Sequence, residues 1–219
     1  MWLSVDPLSD KYPNISSYAY CAWNPIKFYD PNGKEKHIFL RRQESYPAIN
    51  FQDDSGIYIF AHGDLNGDIE NGINVQDLPD YINSDELANY ITDNSEQWKK
   101  DALEGSISMI FLYVCHAGEG DNNVAQQLSS ILNDHETIVI GPIGVLESSA
   151  DPRHQQEGQY SGVKNSKGNF EGSWGVYQNG KLRTTIRGYK VPTKATIKRQ
   201  MFFDNLWKSI KNLFNHENE

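Results

Sequence analysis

Two residues whose side chains can catalyse hydrolysis, a histidine and a cysteine, each follow a run of apolar residues. His62 comes at the end of IYIFAH, and Cys115 comes at the end of MIFLYVC. A thiol attacks as its thiolate, and at neutral pH only a few per cent of a free thiol is ionised because its pKa is about 8.5. A histidine within reach can take the thiol proton, so this pair of residue types predicts nucleophilic catalysis.

Glycines accompany both candidates. Gly63 follows His62, and the loop HAGEG follows Cys115. A glycine lets a backbone N–H approach a substrate closely, as an oxyanion hole requires, and one such donor contributes about 3–4 kcal/mol. We also expect Asp121 to cap a helix after this loop, and the dipole of that helix would favour the thiolate.

The elements that position these residues follow from the spacing of apolar residues. The pattern predicts strands at 36–40, 56–63, 107–115 and 137–142, helices at 84–93, 95–105 and 121–132, loops at 64–83 and 147–173, and a hairpin at 173–186 with an Asn179-Gly180 turn. Apolar strands separated by helices are typical of an α/β fold with a mainly parallel sheet flanked by helices. Ligands bind at the carboxyl ends of such strands, so we expect His62 and Cys115 at one edge of the sheet.

The composition excludes several classes of function. The chain has 219 residues, of which 38% are apolar and 22% charged, and its net charge is −9. This charge argues against a protein that coats nucleic acid or anionic lipid. No stretch reaches the roughly 18 apolar residues that span a bilayer, and no signal peptide is expected. The two cysteines, Cys21 and Cys115, form neither a disulfide framework nor a zinc spacing.

The first 34 residues are predicted to form a series of turns held together by aromatic side chains, because they contain too many prolines for a central strand. They resemble the end of the Rhs repeat-associated core domain, which closes Rhs/YD-repeat toxin shells, at Leu3-Ser4-Val5-Asp6-Pro7, Tyr12-Pro13, Tyr18-Ala19-Tyr20, Asn24-Pro25 and Asp30-Pro31-Asn32-Gly33. The resemblance implies an Rhs shell in the full-length protein and a C-terminal toxin that is secreted or injected into a target cell. It also implies a cognate immunity protein.

The region that contains His62 and Cys115 resembles the caspase-like cysteine peptidases of clan CD. In that family a strand ending in His-Gly precedes a strand ending in Cys, as in IYIFAHG and FLYVCHAG here, and Cys115 lies 53 residues after His62. The resemblance implies a caspase-like sheet in which Cys115 is the nucleophile and His62 is the general base and acid. It also implies that the amides of Gly63 and Cys115 form the oxyanion hole.

The residues around Cys115 leave a second enzyme class open. Val114 and His116 flank the cysteine, where the caspase-like family usually has small residues. An α/β-hydrolase with Cys115 as nucleophile is the rival. Its nucleophile elbow needs Gly-x-Cys-x-Gly, however, and Tyr113 and Ala117 occupy the two glycine positions.

Four residues are weaker candidates for substrate contacts. His116 is expected to line a pocket rather than act as the base, because neighbouring side chains on a strand point in opposite directions. Glu147 and Asp151, together with Arg153, lie in the loop after TIVIGP. The caspase-like family often builds its specificity pocket there, although a solvated loop also explains these residues. Trp174 could line the substrate cleft, or it could belong to the core at the start of the hairpin.

No cofactor or metal site is predicted. The stretch DLNGDIENG (64–72) suggests a calcium loop, but the EF-hand pattern needs Gly at its sixth position and Glu at its twelfth. Ile69 and Val75 occupy these positions, so a solvated turn is the simpler interpretation. Calcium stays an alternative because some caspase-like peptidases use it.

Residues 197–214 predict an amphipathic helix with one basic face. The apolar face consists of Phe203, Leu206, Trp207, Ile210, Leu213 and Phe214. The helix can dock on the domain, or it can contact a membrane or a partner. The second option supports a rival function, a non-catalytic membrane- or partner-binding effector.

The sequence as a whole predicts a polymorphic toxin in three parts. These are an Rhs terminal motif (1–34), a caspase-like cysteine peptidase domain (35–190) and a C-terminal amphipathic helix (191–219). Peptide bonds of a protein substrate are the expected target, and nucleic acid is not an expected partner. The immunity protein is expected to occlude the cleft between His62 and Cys115.

Overall fold

The computed structural model describes residues 35–40, 56–63, 68–72, 78–148, 160–164, 167–169, 171–188 and 191–215. The chain divides into two units, residues 1–34 and residues 35–219. The Rhs-like segment, Asp151, Arg153 and residues 64–67 of the candidate calcium loop all lie outside the described residues. The expectations for these residues therefore stay predictions from the sequence.

The described residues of the second unit form ten strands and four helices. The strands are β1 (Lys36–Ile38), β2 (Ile57–Phe60), β3 (Ile69–Glu70), β4 (Tyr81–Ile82), β5 (Ser108–Tyr113), β6 (Thr137–Ile143), β7 (Val145–Ser148), β8 (Tyr160–Lys164), β9 (Ser173–Gln178) and β10 (Lys181–Arg187). The helices are α1 (Ser84–Asn94), α2 (Glu96–Glu104), α3 (Val124–Ile131) and α4 (Lys194–Asn215).

Six of these strands form the main sheet in the order β1-β2-β5-β6-β9-β10. The first four strands run parallel to one another. The hairpin of β9 and β10 adds two antiparallel strands beside β6. The chain therefore has an α/β fold with a mainly parallel sheet flanked by helices, as the continuously apolar strands predict.

The central strands are buried on both sides because their side chains alternate between two apolar clusters. The first face of the sheet carries Ile57, Ile59, Ile110, Leu112 and Val139, which pack against apolar side chains of α1, α2 and α3. The second face carries Tyr58, Phe60, Met109, Phe111, Tyr113, Ile138 and Ile140, which pack with Val163 of β8 and Ile197 of α4.

Helix α1 begins at Ser84, the first residue of the predicted helix 84–93. By residue type Ser84 would itself suit an N-cap, but the N-cap is Asn83. The Asn83 side chain accepts a hydrogen bond from the Glu86 N–H (3.0 Å), and the Glu86 carboxylate accepts one from the Asn83 N–H (2.9 Å). This reciprocal pair satisfies two N–H groups, whereas Ser84 is buried in the first turn.

The helix after the cysteine loop is capped by Asn123, so the prediction of Asp121 is wrong. The Asn123 side chain accepts a hydrogen bond from the Gln126 N–H at 2.9 Å, and the left-handed backbone of Asn122 (φ 57°) turns the chain just before the helix. Helix α3 consequently begins at Val124, nine positions after Cys115. The prediction for α2 is confirmed, since this helix ends at a left-handed Gly105 (φ 64°).

Both regions expected to be loops contain a short antiparallel strand pair. β3 pairs with β4 inside the first region, and β7 pairs with β8 inside the second. A strand of two residues is too short to show an alternating apolar and polar pattern in the sequence. Ile69 and Ile82, which pair between β3 and β4, are nevertheless both fully buried. The second pair lies beside Cys115, whose thiol contacts the Leu146 carbonyl oxygen of β7.

Candidate active site

The strands that precede His62 and Cys115 are neighbours in the sheet. β2 and β5 are parallel and pair in the register Ile57↔Ile110 to Phe60↔Tyr113. The pairing extends by one bond, from the Ala61 N–H to the Tyr113 carbonyl oxygen (3.4 Å). His62 and Cys115 each lie two residues beyond the last register pair, so both come at the carboxyl edge of the sheet, where α/β proteins bind ligands.

The Cys115 thiol lies near the second face of the sheet. Tyr58, Phe60 and Tyr113 belong to the second-face cluster, whereas Ala61 and Val114 belong to the first. The thiol contacts the carbonyl oxygen of Leu146, which packs against the second-face cluster. His62 and Cys115 both lie beyond the last paired residues, where strand alternation does not determine the direction of a side chain. His62 is exposed and Cys115 is half-buried.

Gly63 lies directly against the backbone of the cysteine. A Cβ atom at Gly63 would come within 2.7 Å of the Cys115 carbonyl oxygen and 2.6 Å of a Val114 methyl carbon. Any other residue would therefore push the two strand ends apart. The turn at His62 and Gly63 is also held by a backbone hydrogen bond, which the Glu70 N–H donates to the His62 carbonyl oxygen at 2.9 Å.

The loop after Cys115 is fastened to the neighbouring strand by backbone hydrogen bonds. The His116 N–H donates to the Gly144 carbonyl oxygen, and the Gly118 N–H donates to the Pro142 carbonyl oxygen, both at 2.9 Å. A Cβ atom at Gly118 would lie only 2.5 Å from the Gly141 carbonyl oxygen. These contacts fix the backbone conformation of the loop and therefore the position of Cys115.

A buried polar network supports the same loop, and the sequence did not indicate it. The Tyr177 hydroxyl donates to the Gly118 carbonyl oxygen (3.0 Å) and accepts from the Asn123 side-chain amide (2.9 Å). The Asn123 amide also donates to the Gly120 carbonyl oxygen (2.8 Å). In the sequence, only the asparagine before the helix could have indicated this network. Its partner Tyr177 lies 54 positions away from Asn123 and carries no local pattern that links the two.

The Cys115 thiol is held in its neutral form. Its Sγ donates to the carbonyl oxygen of Leu146, on β7, at 3.6 Å. Burial raises the pKa of the Cys115 thiol and the nearby Glu147 carboxylate raises it further, while backbone hydrogen bonds at Leu146 and Cys115 act in the opposite direction. The expectation of a favoured thiolate is therefore wrong, because burial has the largest effect on this pKa.

His116 has a different environment from the one the sequence indicated. It lies beyond the end of β5 in a left-handed conformation (φ 61°), so strand alternation does not determine its direction. Its Nδ1 atom lies 2.5 Å from a carboxylate oxygen of Glu119, and its side chain is 28% exposed. His116 is therefore a second imidazole, next to Cys115 in the chain, and it has an acidic partner of its own.

The remaining substrate-contact candidates divide between the surface and the core. Glu147 lies on β7, and its carboxylate forms an ion pair with Lys164 of β8 at 2.7 Å. Trp174 is fully buried in the second-face cluster, where its ring meets that of Tyr113 edge to face. The core interpretation of Trp174 is thus the one that the structure supports, although its buried indole N–H finds no hydrogen-bond partner among the described residues.

Within the described part of the chain, no group of three or more His, Cys, Asp or Glu side chains could hold a metal ion. Nor is any described helix long and apolar enough to cross a membrane.

A family model described as "Domain of unknown function (DUF8616)" matches residues 31–161. The match covers more than half of the chain and includes β2, β5 and the candidate site between them. No curated protein and no solved structure matches the chain. The comparison thus groups this chain with a family without assigning a reaction to it.

Proposed function

The chain belongs to the DUF8616 family, a domain of unknown function, and from the geometry of its sheet edge we propose that it is a cysteine endopeptidase. Cys115 is the nucleophile, and His62 is the general base and acid. One observation carries the proposal: adjacent parallel strands end two residues before His62 and Cys115, so both residues follow the same edge of the sheet. The order of the strands and their motifs resembles caspase-like peptidases, and we assign the sheet to that class.

The proposed reaction uses this chain's own groups throughout. His62 takes the thiol proton, and the Cys115 sulfur attacks the carbonyl carbon of a peptide bond. The amides of Gly63 and Cys115 stabilise the oxyanion that forms. The C–N bond then breaks as His62 gives the proton to the leaving amine. Water, deprotonated by His62, finally hydrolyses the thioester, which releases a carboxylic acid and restores the thiol.

The proposal requires the thiol to leave its resting position. A thiol that donates to the Leu146 carbonyl oxygen is protonated and points its hydrogen at β7. Binding of a substrate along the β7–β8 pair, or displacement of that pair, would break this contact and bring the sulfur within reach of His62. The Glu147–Lys164 ion pair joins the two strands next to the nucleophile, which makes it a candidate for contacts with substrate side chains.

The backbone around the nucleophile favours this reaction class over an α/β-hydrolase. In the hydrolase elbow the nucleophile itself occupies the strained turn between a strand and a helix. Among the described residues, the positive φ near this site belongs to His116 rather than Cys115, and the next helix begins only at Val124. The turn therefore lies one residue too late for an elbow.

Delivery as a toxin rests on the resemblance of residues 1–34 to the Rhs core terminus. We accordingly propose a secreted or injected effector that cleaves a protein of the target cell. A cognate immunity protein binds residues 35–219 and occludes the cleft between His62 and Cys115. Co-expression with the adjacent open reading frame tests this partner, and protection that does not require binding to this domain contradicts it.

The activity itself is tested by incubating the full chain with a proteome and sequencing the new N-termini. Cys115→Ala and His62→Ala should each abolish the new termini. His116→Ala is the matched control, because it removes a neighbouring imidazole that the mechanism does not use, and it should leave cleavage within a few-fold of wild type. Loss of cleavage in His116→Ala with retention in His62→Ala would transfer the base to the other histidine. Cleavage by Cys115→Ala would end the proposal.

A further inference from the structure

Helix α4 is attached to the domain by one narrow face. Ile197 is fully buried in the second-face cluster, and Met201, one turn later, packs against the same cluster. These two residues lie on one side of the helix because a step of four residues returns to nearly the same direction. The helix thus docks on the domain through Ile197 and Met201, which do not belong to the apolar face that the sequence predicts.

The opposite side of α4 carries a second apolar stripe, which is exposed. The stripe consists of Phe202, Phe203, Leu206 and Trp207, whose exposed fractions are 63%, 54%, 45% and 60%. At about 100° per residue these four positions lie roughly 140° to 280° from Ile197 around the helix axis. A helix that only needed to close the core would carry polar residues there, so the stripe requires its own explanation.

Positive charge is concentrated in the same part of the chain. Residues 181–215, which form β10 and α4, contain nine of the 20 Lys and Arg residues and only one of the 29 Asp and Glu residues, Asp204. Lys198 and Arg199 on α4, and Lys181 and Arg187 on β10, are exposed. The net charge of −9 is thus distributed unevenly along the chain. Residues 181–215 form a cationic end, and the rest of the chain is strongly acidic.

We propose that α4 is an interfacial helix that docks this protein on an anionic lipid surface, with Phe202, Phe203, Leu206 and Trp207 in the headgroup region. A partner must offer apolar groups to the stripe and negative charge to the Lys and Arg side chains around it. An acidic bilayer surface offers both. Screening confines the interaction to charges within about 10 Å of the lipid, so the Lys and Arg side chains of α4 and β10 contribute most to it.

Two other partners fit the exposed stripe of α4 less well than an anionic lipid surface does. A second copy that paired stripe against stripe would bring two cationic ends together, which like-charge repulsion opposes. Among the described residues, the other large exposed apolar side chains are spread over separate elements, for example Tyr81 on β4, Leu103 on α2 and Ile131 on α3. They do not form an apolar stripe against which α4 of a neighbouring molecule could pack. A nucleic acid would use the cations but leave the stripe exposed.

The test is co-sedimentation of the full chain with vesicles of phosphatidylcholine, alone or with roughly one-third phosphatidylserine. The wild-type protein should bind the anionic vesicles, bind neutral ones at least tenfold more weakly, and lose binding as salt is raised. Phe203→Ser/Trp207→Ser should reduce binding at least tenfold. Leu103→Ser is the matched control, because Leu103 is an 89% exposed leucine on α2 outside the stripe, and it should bind like wild type.

Each alternative outcome has a distinct signature. Equal binding to neutral and anionic vesicles, no binding to either, or wild-type binding by the stripe variant would overturn the proposal. A dimer detected by light scattering without lipid, and lost in the stripe variant, would assign the stripe to a second copy instead. Cys115→Ala should bind vesicles like wild type, so this result is independent of the proposed peptidase activity.

Discussion

The thiol of Cys115 donates a hydrogen bond to the carbonyl oxygen of Leu146 across 3.6 Å. The candidate nucleophile is therefore protonated and directed at β7, in a half-buried position where burial raises its pKa. This is a resting arrangement, since a peptidase reacts through the thiolate. The same contact predicts how the thiol behaves in the absence of substrate.

Alkylation of Cys115 by iodoacetamide should be slow at neutral pH and should accelerate with a midpoint above the ordinary thiol pKa of about 8.5. Only the thiolate reacts, and burial disfavours it. The measurement is the alkylation rate against pH in a Cys21→Ala background, with a small unstructured thiol as the reference. A midpoint below that of the reference would mean that the thiol is activated before substrate binds.

The free energy of unfolding should depend on pH through the same group. Because the folded pKa of Cys115 is raised, its contribution to stability is fully present below the unfolded pKa and is lost as pH rises through the folded pKa. Under reducing conditions, wild type should therefore lose stability relative to Cys115→Ser as pH rises above about 8.5. Tyr90 and Tyr177 also have pKa values raised by burial, but both proteins share them, so the difference between the two denaturation curves isolates Cys115.

Gly63→Ala should impair both folding and catalysis. The new methyl group would lie 2.7 Å from the Cys115 carbonyl oxygen, so the strand ends must separate, at a cost of about 1–3 kcal/mol. Gly105→Ala is the control. It forces alanine into a left-handed conformation (φ 64°) with nothing within 4 Å, so it should cost about 1–2 kcal/mol and leave the cleavage rate unchanged. Equal cleavage rates for the two variants would show that the Gly63 contact has no catalytic role.

Tyr177→Phe should lower kcat more than it changes KM. The substitution removes the hydroxyl that joins Gly118 to Asn123, which leaves buried polar groups unpaired at a cost of about 1–3 kcal/mol and loosens the loop that carries Cys115. Tyr90→Phe is the matched control, since its hydroxyl faces His37 of β1 at 3.4 Å and takes no part in that loop. Steady-state kinetics on a cleaved peptide distinguish the two, and parallel losses of kcat would make Tyr177 merely structural.

The local features of this chain were predictable because they depend on neighbours in sequence. Runs of apolar residues identified β2, β5 and β6, and the Asn179-Gly180 pair identified the turn between β9 and β10, where both residues have positive φ (52° and 68°). The order of strands then predicted that His62 and Cys115 share one edge. In the structure the parallel pairing of β2 with β5 brings the two strand ends together at that edge.

Tertiary packing decided what surrounds the cysteine. The residues in contact with its loop come from distant parts of the chain: Leu146 lies 31 positions after Cys115, and Tyr177 lies 59 positions after Gly118. A thiol pKa depends on burial and on nearby charges, and neither exists until these segments pack together. Sequence spacing indicated which groups could react, whereas the burial of Cys115 beneath β7 determines that its thiol is protonated at rest.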